Sequence, residues 1–224
     1  MDSAKVHGII PEFLGIGHEF VSQNQRMKIL RDALMEMDEL ERNRTAIVVM
    51  DGADTLFNGS SQTIIERFRA MKTRILISAE RAYSYQYAVF KSKFDNIITP
   101  YPYRYVNAGT YMGYGSSLLN LMNELLEMKK TKWPHANDQG LLGIWAYYNM
   151  DSNILMKMDL NCDVFWVACN DWDNLMKASR AAEGNEKYII NKTTGTAPPI
   201  IHLTCLGSPQ VAEVYARAHS AIVS

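Results

Sequence analysis

Residues 46–57 read "AIVVMDGADTLF". An apolar run from Ala46 to Met50 leads straight into Asp51, Gly52 and Ala53 follow, and a second acid, Asp54, closes the turn. Such a run describes a buried strand that opens into solvent at a pair of carboxylates. Working outward, "KVHGII", a helical pattern from Arg26 to Leu40, "AIVVM", a second helical pattern over 62–71 and "RILIS" alternate along the chain. Strands separated by amphipathic helices predict an α/β fold with right-handed crossovers, its mostly parallel central sheet flanked by helices. Met27, Leu30, Leu34 and Met37 recur at helical spacing and read as a core-facing stripe.

Beyond residue 81 the texture changes. "YSYQYAVFKSKFDNIITPYPYRY" is crowded with aromatic residues and reads as a long connection that shapes pockets. A short strand, "YVNAGTYMGY", follows, then helices over 116–128 and 137–148. "ILMKM" and "DVFWVA" are further strand candidates, 183–195 reads as a polar loop, and "PPIIHL" precedes a terminal helix over 209–219. No internal repeat or low-complexity segment is visible.

The 224 residues, 47% of them hydrophobic, support one sizeable core, so a single domain over 1–224 is expected. The 23 Lys plus Arg nearly cancel the 24 Asp plus Glu, leaving no global field for a polyanion or an anionic membrane. Three widely spaced cysteines, Cys162, Cys169 and Cys205, suggest free thiols in a reducing compartment. No segment reaches the roughly 18–20 apolar residues a membrane span needs, and the first residues lack a signal-peptide pattern, so the reading is a soluble protein, cytoplasmic or, if the start is truncated, of the secretory lumen. Asn-x-Ser/Thr triplets at Asn43, Asn58 and Asn191 occur at about chance frequency and decide nothing.

In an open α/β sheet, ligands gather beyond the carboxyl ends of the strands, where Asp51 and Asp54 stand. Two converging carboxylates repel unless a cation lies between them, and a hard divalent ion takes oxygen ligands from carboxylates and substrate phosphates. On spacing alone, an acidic turn in which Asp54 caps the following helix explains the pair as well. "PPIIHL" places His202 after another strand; a lone histidine there is more often structural. Together, two acids and one imidazole would make a mixed O/N site suited to Mn²⁺ more than to Mg²⁺.

"VVMDGADTLF", "ILISAE", "YVNAGTYMGY", "NDQGLL" and "IIHL" stand in the order, and at about the separations, seen in the glycosyltransferase domain of the procollagen lysyl hydroxylase and glycosyltransferase family, and related viral collagen glucosyltransferases look similar. The resemblance runs from about Phe13 to Gln210. It implies a Rossmann-like GT-A nucleotide-sugar transferase fold. It also implies that Asp51, Asp54 and His202 bind Mn²⁺ (or Mg²⁺), which holds the diphosphate of a UDP-sugar such as UDP-glucose. "QRMKILRDAL" resembles the family's helix start and makes Arg26 a donor-phosphate contact, for which a solvated helix charge is the competing explanation. Ala53 and Gly109 fall on the donor side; Asn107, Asp138 and Gln139 fall where sugar and acceptor hydroxyls are oriented, Asp138 serving equally well as an N-terminal helix charge.

Family domains begin with an extra strand and helix, whereas this sequence looks as if it starts near the second strand. The residues after His202 lack the family's Asn and Lys, and only Asp138 remains of its acidic run. The expected function is a metal-dependent transfer of a hexose, glucose by resemblance and with a lean towards retention, to a hydroxyl acceptor. That acceptor would be hydroxylysine-linked or a hydroxymethylated DNA base reached by the lysines of "FKSK" and "KKTK". A metal-dependent phosphohydrolase or nucleotidyltransferase, or a non-catalytic nucleotide-sugar-binding domain, are the readings it competes with; the oligomeric state is open.

Overall fold

The apolar run at 46–50 is a strand, β1 (Ala46–Met50), ending at Asp51. The computed structural model describes residues 2–19, 21–52, 54–84, 87–169, 171–176, 179–183 and 186–204. β1 belongs to a four-stranded sheet with β3 (Ile75–Glu80), β4 (Tyr105–Tyr114) and β5 (Met156–Asp159), in the order β1-β4-β3-β5. β4 pairs antiparallel with both β1 and β3, while β3 and β5 are parallel. The sheet is therefore mixed, where helix–strand alternation predicts a mostly parallel one. The crossover from β1 through α4 (Ser61–Met71) to β3 does return the chain in the same direction. The aromatic connection over 81–104, which carries the short helix α5 (Lys91–Asp95), then reverses it, and β4 inserts between the two parallel strands.

The stripe on α2 (Gln25–Glu36) behaves as its spacing requires: Met27, Leu30 and Leu34 are buried in one cluster with Leu118, Leu121, Met122 and Leu125 of α6 (Gly115–Thr131). Each such side chain contributes about 1.5–3 kcal/mol by leaving water. The pattern over 26–40 is two helices, because Met37 turns extended and Asp38 caps α3 (Glu39–Arg44) by accepting the N–H groups of Leu40 and Glu41. Arg42 reaches back to the open carbonyls of Leu34 and Met37, satisfying the end of α2. "KVHGII", expected to be a strand, contains the end of the short helix α1 (Asp2–Val6), after which Gly8 at φ 65° turns the chain.

A second sheet carries β2 (Thr55–Phe57), β6 (Phe165–Val167) and β9 (Ile200–His202), in the order β2-β9-β6. The segment expected to be a polar loop from 183 contains part of a hairpin, β7 (Ser179–Glu183) with β8 (Glu186–Ile190). The helix expected over 209–219 lies outside the described residues. No helix among the described residues is long and apolar enough to cross a membrane.

Asn58, fully buried at the end of β2, donates to the carbonyls of Ile189 and Pro198, each at 2.9 Å, and accepts the N–H of Ile189 at 2.7 Å. It thus fastens β2 to β8 and to the chain that enters β9. Asn58→Ala would leave these buried backbone groups unpaired and should cost about 3 kcal/mol, read as a lower urea midpoint with an unchanged m value.

Candidate active site

Long-range pairing builds the site. β9 runs antiparallel to β2 with Thr55 opposite His202, and the Leu203 N–H donates to the Asp54 carbonyl at 2.7 Å, so the imidazole arrives beside the second acid. On the other sheet, the pairing of β3 with β4 slips: Ile77 faces Tyr111, but Ala79 faces Val106. Four residues, 107–110, stand against Ser78 alone and bulge out of that ladder, and the Gly109 carbonyl accepts the Asp51 N–H at 2.8 Å. Bulges re-aim side chains, and this one aims Asn107 at His202.

Asp51, Asp54 and His202 each offer one ligand atom within 4.8 Å of the others. His202 Nε2 lies 3.3 Å from Asp54 Oδ1 and 3.7 Å from Asp51 Oδ2. The hydrogen bonds fix which ring nitrogen is free. Asn107 Oδ1 accepts the Gly109 N–H at 2.9 Å, so it is the carbonyl oxygen, and His202 Nδ1, 3.1 Å from the same oxygen, must be the donor. Nε2 of the neutral ring then carries its lone pair towards the carboxylates. Both Nε2 and Asp54 Oδ1 are buried without a hydrogen-bond partner. A lone pair facing a carboxylate oxygen in the interior is unfavourable unless a proton or a cation lies between them. The donors are as far apart as neighbouring ligands of a small divalent ion, about 3–4 Å, and a mixed O/N set suits Mn²⁺. The residues fit such an ion.

Gly109 contributes by what it lacks. A Cβ there would lie 2.0 Å from His202 Cε1, so the imidazole occupies the volume a side chain would fill. Asp54 does not cap the following helix; Ser60 does, accepting the Thr63 N–H. Arg26, at the start of α2, is no solvated helix charge, since its guanidinium pairs with Asp51 on one side and Asp138 on the other. Burial raises the Asp51 carboxyl above the usual range, against the opposing pull of Arg26 and then His202. Asp138 is buried in the first turn of α7 (Asp138–Asn149), behind the cap Asn137, where it stands as an N-terminal helix charge and pairs with Arg26. Ala53 lies outside the described residues.

Gln139 reaches across to β3, donating from Nε2 to Glu80 Oε1 at 2.9 Å while its Oε1 accepts the Ala108 N–H at 3.3 Å. Glu80 is a site residue the sequence reading passes over: it ends "ILISAE" as Asp51 follows "AIVVM", an acid at a strand's carboxyl end, and that parallel was the signal. Only 2% exposed, it is pushed up to about 7 by burial, against hydrogen bonds from Asn107, Gln139 and Ser84. The next residue, Arg81, turns away to the buried Asp171, which also accepts from Trp166 Nε1 and Asn174 Nδ2, each at 3.0 Å. This network anchors the residues after β6 against the end of β3.

The sequence pattern of the family described as "PLOD GT domain" matches residues 1–213. A curated relative, the multifunctional procollagen lysine hydroxylase and glycosyltransferase of Caenorhabditis elegans, is 26% identical over 234 residues covering 93% of this chain. The chain spans 30% of that relative's length. Among solved structures, mouse xyloside xylosyltransferase 1 in its apo form is similar with a TM-score of 0.44 at 13% identity, covering 91% of this chain and 70% of that one. A glycosyltransferase involved in the glycosylation of the major capsid of PBCV-1 is similar with a TM-score of 0.48 at 10% identity, covering 98% and 87%.

Gly109→Ala should push the imidazole off Asn107 and weaken Mn²⁺ binding at least about tenfold, measured by titration calorimetry. Glu80 gives a pH signature. Its folded value of about 7 lies above the unfolded 4.5, so the folded state holds the proton more tightly. The stability this supplies at low pH is lost as pH rises from about 4.5 to about 7. Asp159, pushed up to about 6 by burial, slopes the same way. The wild-type urea midpoint, relative to that of Glu80→Gln, should therefore fall across this window, the Asp159 part cancelling.

Proposed function

The chain belongs to the PLOD glycosyltransferase-domain family, and from that premise we propose that it moves a hexose, glucose by resemblance, from a UDP-sugar to a hydroxyl acceptor, using a divalent cation held by Asp51, Asp54 and His202. Glycosyl transfer follows from the family; the donor, the sugar, the metal and the acceptor are our reading. The observation that carries it is the meeting of three ligand-type side chains from both ends of the chain, with His202 Nε2 and Asp54 Oδ1 facing each other unpartnered.

When bound, the cation supplies Lewis-acid neutralisation of the charge that grows on the departing diphosphate, worth several kcal/mol of barrier. The protein's own contributions surround it. Arg26 stands between Asp51 and Asp138, at the seam between the metal side and the acceptor side. Its planar fork can exchange a carboxylate for diphosphate oxygens without losing its charge-assisted hydrogen bonds. Asp138 and Gln139, at the start of α7, hold the acceptor hydroxyl, and Asn107 lies between them and the metal ligands. Fixing both reactants in one orientation replaces a collision with an effectively intramolecular step.

The acceptor we favour is a hydroxylysine-type hydroxyl on a polypeptide. Three of the five lysines that would grip a nucleic-acid backbone are already engaged: Lys91 pairs with Asp95, Lys93 with Asp151, and Lys129 donates to the carbonyl of Ala136. Binding to a polyanion would also carry a steep salt dependence, which a peptide acceptor would not show.

The test is release of UDP from UDP-glucose, with and without Mn²⁺. Release should require the metal, and Asp51→Asn should lower it at least about 100-fold with an unchanged circular-dichroism spectrum. Wild-type turnover in the variant would refute the metal assignment. Silence from intact wild-type protein would favour a binding domain, and cleavage of simple phosphoesters would favour a phosphohydrolase.

A further inference from the structure

We propose that the cavity beside Arg26 is a subsite for the exocyclic carbon of the donor sugar, and that the side chains walling it make the protein select a hexose over a pentose. The proposal rests on the reading of the chain as a UDP-sugar transferase and adds the residues that gauge the size of the sugar.

A cavity of about 60 Å³ lies among α2, α6 and α7. Its apolar walls include Met27 and Leu30 of α2, Met122 and Leu125 of α6, and Leu142 of α7, and its polar lining is Arg26, Asp51 and Asp138. The Arg26 and Asp51 side chains are 40% and 31% exposed, whereas those five walls are buried. The cavity therefore opens past the guanidinium and the metal-side acid and deepens into the core. At about 10–15 Å³ for each water-sized group, it has room for about four. Close-packed interiors hold few such voids, and the side chains lining one forfeit contacts on that side. Two of the walls are methionines, whose unbranched side chains adapt to an occupant.

Position and wall chemistry together identify the occupant. Asp51 belongs both to the ligand set with Asp54 and His202 and to the cavity lining. A sugar carried on a diphosphate held at those ligands thus stands over the mouth, between the metal side and Asp138. Ring hydroxyls sunk among Met and Leu side chains would lose their hydrogen bonds. At the rim they meet donors on Arg26 and acceptors on Asp51 and Asp138. The group that suits the interior is a carbon branch able to turn its hydroxyl back to the rim, which is the exocyclic CH₂OH of a hexose. An N-acetyl group brings an N–H and a carbonyl that the apolar walls cannot satisfy. A pentose has no branch and leaves the cavity empty.

The test compares UDP-glucose with UDP-xylose, the same ring without the exocyclic carbon, in Mn²⁺-dependent UDP release and in thermal-shift titrations. Wild type should favour UDP-glucose at least about tenfold in kcat/KM and be stabilised by it at lower concentration. Leu30→Phe and Met122→Phe fill the cavity from different helices. Each should lower kcat/KM for UDP-glucose at least about tenfold while leaving that for UDP-xylose within about threefold of wild type. Damage to the fold would lower both donors alike, so equal losses in both variants would overturn the proposal. A wild type indifferent to the exocyclic carbon, or one that prefers UDP-N-acetylglucosamine, would overturn it without any variant. Tighter binding of UDP-glucose than of UDP-xylose with no UDP release would refute the transfer reading and uphold the subsite. No stabilisation by any of these UDP-sugars would refute the donor reading and the subsite with it.

Discussion

The hydrogen bond from His202 Nδ1 to Asn107 Oδ1 joins the two sheets at the point where the chemistry is expected. His202 ends β9 in one sheet, and Asn107 opens the bulge of β4 in the other. Much of the local architecture serves that contact. Gly109 leaves the volume the ring needs, the β2–β9 pairing delivers the ring beside Asp54, and Asn58 fastens the chain that enters β9. A second, independent tie follows from the Leu203 N–H to the Asp54 carbonyl, which sets the height of the imidazole above the acids. A histidine held by its Nδ1 proton is one whose other nitrogen has a fixed direction, the usual condition for a metal-ligating imidazole.

Negative charge is concentrated around this contact. Asp51, Asp54, Asp138 and Glu80 lie at one edge of the fold, and Arg26 is shared between two of them. Burial raises the Asp51 and Glu80 carboxyls above their usual values, so ionising either one costs stability. Carboxyls whose charged form the fold opposes in this way are candidates for a functional role. The contrast is Asp171, as buried as Glu80 but surrounded by Arg81, Trp166 and Asn174, where the carboxylate closes a structural network.

Local chemistry explains what could be read in advance. Asp51 follows an apolar run whose burial any α/β arrangement demands, α2 shows its core stripe at helical spacing, and α7 begins where Asn137 and Asp138 say a helix should. The reading failed where partners distant in sequence decide the outcome. The sheet is mixed because an irregular aromatic connection reverses the chain before β4, and no periodicity within β4 records that. The apolar content of "KVHGII" predicts a strand, yet its first two residues end α1 and Gly8 adopts a positive φ. Two of the three Asn-x-Ser/Thr triplets turned out to be buried: Asn58 and Asn191 are both fully enclosed, their amides engaged in long-range hydrogen bonds.

By itself, the sequence determined that two carboxylates follow a buried strand, that amphipathic helices cover the sheet, and that a histidine ends a late apolar run. Those are consequences of burial and of spacing along a few residues. The family resemblance implied that His202 meets those acids and that Gln139 belongs to the site; only the tertiary structure decided by which strand pairing the imidazole arrives, which of its nitrogens is free, and that Glu80 joins the cluster through Gln139. The reason is that strand register and the β4 bulge set which distant backbones touch, and donor–acceptor matching then orients the side chains between them; neither is encoded in any local stretch.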